Sequence, residues 1–427
     1  MNIFPFFAII TSLLIGLPSI VIAKKKGYNP YLGVEKLGLQ KELIPEFTKD
    51  IKLPKSTQTG RSGIYTISVR STKPIKLTPV QDGWIEFKVN LGTQSEVTCQ
   101  ITHETMGLSV VAMSLLDNIF SQYPVPTPPM IEVGYSGKAA YIGTNLYYVT
   151  KSPEGDAIAD FKFFAAALPN DTLYCYMDEV GYRKTFWSFA KRLLRSIRVK
   201  PTKEDGSLNR REIYFTYING IKQGIRDQRI YGKDTAYGNV ELNINSMFLR
   251  GPKNQLKGTE EIHSRTLDYS GNIAEGDFTK YFNTGVASSI KYKVINNTVK
   301  LTGNYRNKQL NLNLSYKGQI FGTLKQENFY EKALKKKKSS KAVAYLPEIN
   351  PIKVSKITIK PVKPSKGKLK LKIDKKISQT LTIGSKGNIT RASWKIGKLK
   401  IDVKKLKMKK KNSAQKIESK TKNQEPG

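Results

Sequence analysis

The chain holds two histidines, His103 and His263, and two cysteines, Cys99 and Cys175, so chemistry that needs imidazole or thiolate is confined to four positions. "HETMG" at 103–107 begins like a zinc-protease helix, whose second histidine four residues on completes a ligand pair. Gly107 stands at that place. Cys99, His103 and Glu104 together offer one sulfur, one imidazole and one carboxylate, short of a structural zinc set, so no metal is expected. The sequence carries neither a phosphate-cradling glycine loop ending in Lys-Ser or Lys-Thr nor a Gly-x-Ser-x-Gly elbow. Two carboxylate doublets occur, Asp178-Glu179 and Glu260-Glu261. Neighbours in a strand point to opposite faces, so neither doublet is a natural acid–base pair. The chain reads as a non-enzyme that uses no cofactor.

Charge is the stronger signal. The formal net charge is +38, and residues 333–427 hold 29 Lys or Arg against 5 Asp or Glu. Arg391 is the one arginine among those 29. Arginine forks are the usual readers of guanine, so lysine dominance argues against sequence-specific nucleic-acid recognition and leaves nonspecific attraction to anionic membrane or acidic polymer. Lys335, Lys336, Lys337 and Lys338 in one run, and Lys409, Lys410 and Lys411 in another, are the candidate contacts. The alternative for both is a solvated surface.

At 427 residues the chain is long enough for two cores. Residues 1–23 carry no charged side chain and end Val-Ile-Ala, the pattern of a cleavable secretory signal. The rival is an uncleaved anchor, since "KKK" follows at 24–26. No later run reaches the about 18 apolar residues of a spanning helix, so the body is expected outside the cytoplasm, in a periplasm or beyond. Cys99 and Cys175 lie in alternating, strand-like runs, and either form one disulfide or remain as two buried thiols.

Residues 24–60 read as a loosely ordered lead-in broken by Pro30, Pro45 and Pro54. Residues 61–200 read as an α+β domain: alternating runs such as "SGIYTISVR" and "WIEFKVNL", a helix near 107–120, and a clear amphipathic helix in "TFWSFAKRLLRSIRV". That helix either docks on its own sheet with a basic outer face or lies on a membrane surface. Residues 201–209 form a linker.

From 210 to 408 the pattern is strand and turn, a mainly antiparallel all-β domain built as an open sheet or half-barrel. "QLNLNLSY" alternates at Leu310, Leu312 and Leu314, and turn signals stand at Asn219-Gly220 and Asn296-Asn297. The lysine-rich end belongs to this domain. In "KLKLKID" the residues Leu369, Leu371 and Ile373 alternate with Lys368, Lys370 and Lys372, and the pattern continues through Leu381, Ile389, Trp394, Ile401 and Val403. A disordered basic tail lacks such alternation. The outward lysines are expected to discourage edge pairing with other chains. A basic loop at 333–351 and a disordered terminus at 409–427 complete the domain plan.

"EEIHSRTLDYSGNIAEGDFTKYF" and "ISQTLTIGSKGNITRASWKIGKLKIDV" resemble the strand-turn-strand rhythm of periplasmic lipid- and lipoprotein-carrier proteins. The resemblance spans about residues 210–408. It implies an incomplete antiparallel barrel sheltering an apolar or amphipathic ligand, a lipid or lipoprotein. Such carriers cover the hollow with helices, whereas no long amphipathic helix is visible after Arg210. The candidate lining residues are Tyr214, Phe215, Tyr217, Phe248, Tyr281, Phe282, Tyr292 and Trp394, with ordinary core as the alternative.

Overall fold

The computed structural model describes residues 44–80, 84–102, 107–122, 130–137, 139–152, 155–168, 171–200, 208–233, 238–250, 256–363, 365, 367–374 and 376–406. The signal segment, the start of the lead-in, most of the linker and the lysine-rich terminus lie outside them, as do His103 and Glu104.

Among the first 200 residues, helix α1 (Ile44–Thr48) leads to β1 (Thr57–Ser62), β2 (Tyr65–Arg70), β3 (Thr78–Pro79), β4 (Ile85–Val89) and β5 (Val97–Thr102). Helix α2 (Leu108–Gln122) precedes β6 (Met130–Ser136), β7 (Ala139–Ser152), β8 (Gly155–Ala167) and β9 (Thr172–Met177). Helix α3 (Arg183–Ser196) and β10 (Arg198–Val199) follow. The sheet order is β3-β4-β5-β9-β8-β7-β6, with β1-β2-β10 as a small second sheet. Cys99 and Cys175 face each other across β5 and β9 and are joined in a disulfide. Helix α3 buries Phe186, Trp187, Phe189, Ala190, Leu193 and Leu194 against these sheets and leaves Lys191, Arg192 and Arg195 in solvent. It therefore docks on its own sheets. The later half of the lead-in is ordered, because Phe47 is fully buried under the Arg183 guanidinium and Asp50 accepts the Thr185 amide at the first turn of α3.

The remaining strands make one antiparallel sheet. First comes a meander of β11 (Leu208–Ile218), β12 (Ile221–Lys233), β13 (Asn239–Arg250), β14 (Leu256–Leu267), β15 (Ile273–Phe282), β16 (Gly285–Ile295), β17 (Thr298–Tyr305) and β18 (Lys308–Ser315). After helix α4 (Thr323–Lys336) comes a second meander, β19 (Ser340–Tyr345), β20 (Val354–Pro361), β21 (Lys368–Ile373), β22 (Ile377–Ile383), β23 (Ile389–Ile396) and β24 (Leu399–Lys405). Strand β24 returns to pair with β11, from Tyr214↔Lys405 to Ile218↔Ile401, which fuses both meanders into fourteen continuous strands. Asn219 and Gly220 both take positive φ, 49° and 85°, as a tight two-residue hairpin requires.

Alternation carries the lysine-rich strands. Leu369, Leu371 and Ile373 are buried while Lys368, Lys370 and Lys372 are exposed. Burying each such side chain contributes about 1.5–3 kcal/mol.

The sheet rolls up without closing. Among the described residues a single bridge joins Ile320, beyond β18, to Val343 on β19. Its two ends overlap: Val343, Tyr345 and Val354 pack against Val294, Val299, Leu301, Leu310 and Leu312. Helix α4 lies inside the roll, with Tyr330 and Ala333 among Met247, Leu249, Ile357, Leu369, Trp394 and Val403. The basic loop expected at 333–351 is thus the last turn of α4, strand β19 and a turn. The outer face of β11–β13 packs against α2 and β6–β8 through Ile213, Phe215, Ile225 and Phe248.

Candidate functional site

The eight aromatic residues expected to line one hollow do not meet. Tyr214 and Trp394 belong to the core around α4, and the Tyr214 hydroxyl donates to Glu212. Tyr292 lies in the overlap core, its hydroxyl 2.9 Å from His263 Nε2 and its ring 4.8 Å from that of Tyr345. Phe215, Tyr217 and Phe248 point the other way, into the core shared with α2 and β6–β8. Tyr281 and Phe282 end β15, and Phe282 is exposed beside Lys257. Strand alternation is the cause: Tyr214 and Phe215 are neighbours on opposite faces, and both faces are covered.

Beside the apolar core around α4, the interior of the roll buries a set of polar and charged side chains. Arg210 on β11 grips Glu327 of α4, with Nη1 2.8 Å from Oε2. Thr323 donates its amide to Glu241 at 2.6 Å and receives Gln228 Nε2 on its hydroxyl at 3.1 Å. Arg265 also pairs with Glu241, Arg226 donates to Asn243 at 2.9 Å, and Lys280 stands 3.2 Å from Glu261. His263 Nδ1 lies 3.7 Å from Glu348. Burial raises the Glu348 carboxyl to about 8 and pushes His263 well below its ordinary value, so both are neutral at pH 7.

The Glu260-Glu261 doublet on β14 divides as the pleat demands, whereas Asp178-Glu179 lies just past the end of β9. Glu260 points outward to the Ser109 amide at 2.9 Å and the Ser246 hydroxyl at 2.8 Å, while Glu261 points inward to Lys280. Glu179 caps the Ser95 amide at 2.8 Å. Among the described residues no three His, Cys, Asp or Glu stand close enough to hold a metal ion.

The space that suits a ligand lies at the seam. A hollow of about 950 Å3 runs along the free edge of β19, with the 317–321 segment and the Phe329 ring of α4 among its lining. Phe321, Phe329, Val343 and Ile357 supply apolar lining, and the two phenylalanine centroids are 6.2 Å apart. Lys317, Lys341, Lys353 and Lys356 stand around it against one carboxylate, Asp374, which Lys353 already meets at 3.1 Å. A second hollow of about 550 Å3, lined from β15 to β18, mixes Glu275, Asp277, Lys291, Lys293 and Lys300, and so presents no single sign of charge. Of the lysines expected to meet anions, Lys335 and Lys336 sit in the last turn of α4, Lys335 paired with Glu331 at 2.7 Å. Lys337 caps that helix, Lys338 follows it, and Lys409, Lys410 and Lys411 lie outside the described residues.

Sequence reading missed the seam because it missed α4. The buried face of that helix is Thr323, Gln326, Glu327, Tyr330 and Ala333. Three of those five are polar, so the apolar period is absent; Thr323 and Glu327 find their partners on β11, β12 and β13, and Gln326 donates to the Phe321 carbonyl.

No protein-family model matches the chain, and no curated protein matches it. Among solved structures it is similar to the crystal structure of a beta-barrel-like protein of the domain of unknown function DUF1849 from Brucella abortus. That likeness has a TM-score of 0.37 at 13% identity, and covers 47% of this chain and 97% of the other.

Proposed function

We propose that this protein is a non-enzymatic binder of an amphipathic, anionic molecule, an acyl chain bearing a phosphate or carboxylate head, held in the seam beside β19. The observation that carries the reading is the pairing, in one hollow, of Phe321, Phe329, Val343 and Ile357 with four lysines and one acid. An apolar lining takes a chain, and a lysine surround takes its head without demanding a particular headgroup geometry. A volume of about 950 Å3 is in the range of small-molecule sites, roughly 300–1,000 Å3.

An envelope location outside the cytoplasm is part of this proposal. The Cys99–Cys175 disulfide supports it, since such bonds persist in oxidising compartments. So is the division into an α+β unit over 61–200 and a β unit over 210–408, with lipid or lipoprotein carriage as the finer assignment. Native mass spectrometry of the full chain with palmitoyl lysophosphatidylglycerol tests the reading. One bound lipid per chain is expected for the wild type and weaker uptake for Val343→Trp, whose ring narrows the hollow. Equal lipid uptake by both proteins, or no uptake by either, overturns it.

A further inference from the structure

The outer face of β19–β23 carries an unusual surface. Reading across the strands, Lys341 opposes Thr358, Thr358 opposes Lys372, and Lys372 opposes Ser378. In the next row Lys360 opposes Lys370, Lys370 opposes Thr380, and Thr380 opposes Ser393. In a third, Lys368 opposes Thr382, which opposes Arg391. Every outward position in these rows is a cation or a hydroxyl. The nearest acids are engaged at the margin, Asp374 with Lys353 and Asp402 with Arg391 at 2.6 Å. Among the described residues no carboxylate lies within ion-pair distance of Lys360, Lys368, Lys370 or Lys372.

Two ordinary explanations fail. Lysines guard free sheet edges, yet β21, which contributes three of them, is an interior strand between β20 and β22. The edge-blocking role expected from sequence therefore does not apply there. Cross-strand pairing does not explain them either, since like charges directly opposite, as at Lys360 and Lys370, are destabilising. Lysine and hydroxyl donors without acids are the groups that phosphate oxygens accept from. Strand geometry sets them in a two-dimensional grid, about 5 Å across strands and about 7 Å along them.

The geometry points to this face as a docking surface for an anionic phospholipid bilayer. A grid spread over several strands matches a plane of headgroups, whereas a linear polyanion is matched by a single stripe or a groove. Lysine, a flexible point charge, suits a fluid array with no fixed headgroup orientation. The face is continuous with the seam through Lys356, which lines the hollow and lies on the same side of β20 as Lys360. The inference stands whether or not the seam takes a lipid.

The test uses the full chain, co-sedimented with vesicles of phosphatidylglycerol and phosphatidylcholine or of phosphatidylcholine alone, at low and high salt. The wild type should partition only onto the anionic vesicles and leave them as salt rises. The triple variant Lys360→Gln, Lys370→Gln, Lys372→Gln should lose about a hundredfold in partitioning, a factor of about five per lysine. It should melt no lower than the wild type, because it relieves repulsion and buries nothing new. A second variant with Lys409, Lys410 and Lys411 changed to Gln separates the face from the terminus. Unchanged partitioning in the triple variant, or loss confined to the terminal variant, overturns the proposal. So does tighter binding of soluble polyphosphate than of vesicles at equal phosphate, which would make the partner a linear polymer.

Discussion

Arg210 on β11 and Glu327 on α4 stand 117 positions apart and meet in a two-point ion pair, Nη1 to Oε2 at 2.8 Å and Nη2 to Oε1 at 2.5 Å. The same guanidinium reaches Glu212, which also receives Lys405 of β24. One arginine thus ties the helix inside the roll to the strands where the two meanders join.

Removing Arg210 should loosen that helix. Arg210→Ala leaves Glu327, whose side chain is 5% exposed, without its partner, and should cost about 2–4 kcal/mol in a denaturant titration. The double variant Arg210→Ala, Glu327→Gln should recover part of the loss. A double variant no better than the single one would show that the pair does not hold the helix.

The disulfide closes a 76-residue separation between β5 and β9. Reduction, or replacement of both cysteines by alanine, should lower stability by about 4 kcal/mol on the chain-entropy model. Thermal melts with and without reductant read this directly.

The buried titratable groups should place the stability maximum at about pH 4 to 5, where the raised carboxyls are still protonated in both states and only His263 and the depressed carboxylates act. Glu348 titrates near 8 when folded and near 4.5 when unfolded, so the native state keeps a proton the unfolded chain has lost, and stability falls as pH rises across that window. Glu260, raised by burial to about 7, acts in the same sense. His263 works oppositely: its folded value is depressed by burial and by Arg265 and Arg226, so stability falls as pH drops below about 6.5. Asp227 is desolvated, but Arg229 and Arg211 overcome this and hold it at about 2, so its contribution is lost only below about pH 4. The groups facing Glu348 are His263, Arg226, Arg265 and Glu261. Glu348→Gln should gain about 1–3 kcal/mol over the wild type at pH 8 and almost nothing at pH 5, read from denaturation midpoints.

Neighbouring residues on β21 should answer mutation in opposite ways. Leu371→Ala empties a fully buried site and should lose about 2–5 kcal/mol, whereas Lys370→Ala, opposite Lys360, should be neutral or slightly stabilising. Equal small effects at both positions would show that the strand is not packed as described.

That strand was legible in the sequence because its alternation is strict and only one of its faces is greasy. The Asn219-Gly220 turn was legible because few residues accept positive φ twice in succession. The turn between β17 and β18 was not, since its Arg306, at φ 50°, gives no such signal. The aromatic residues were visible but not their partition, because β11 is covered on both faces and alternation does not say which core each side chain enters. Helix α4 was hidden by the polar groups on its buried face, and with it went the seam, whose walls lie far apart in the chain between Lys317 and Asp374.

The seam's occupancy is tested most directly by photolabelling. The full chain would be irradiated with palmitoyl lysophosphatidylglycerol carrying a diazirine near the end of its acyl chain, and the labelled peptides mapped by mass spectrometry. Label concentrated on Phe321, Phe329, Val343 and Ile357, and weakened in Val343→Trp, is the predicted result. Label spread over the surface, or gathered around Phe215, Tyr217 and Phe248 on the opposite face of the sheet, would contradict it.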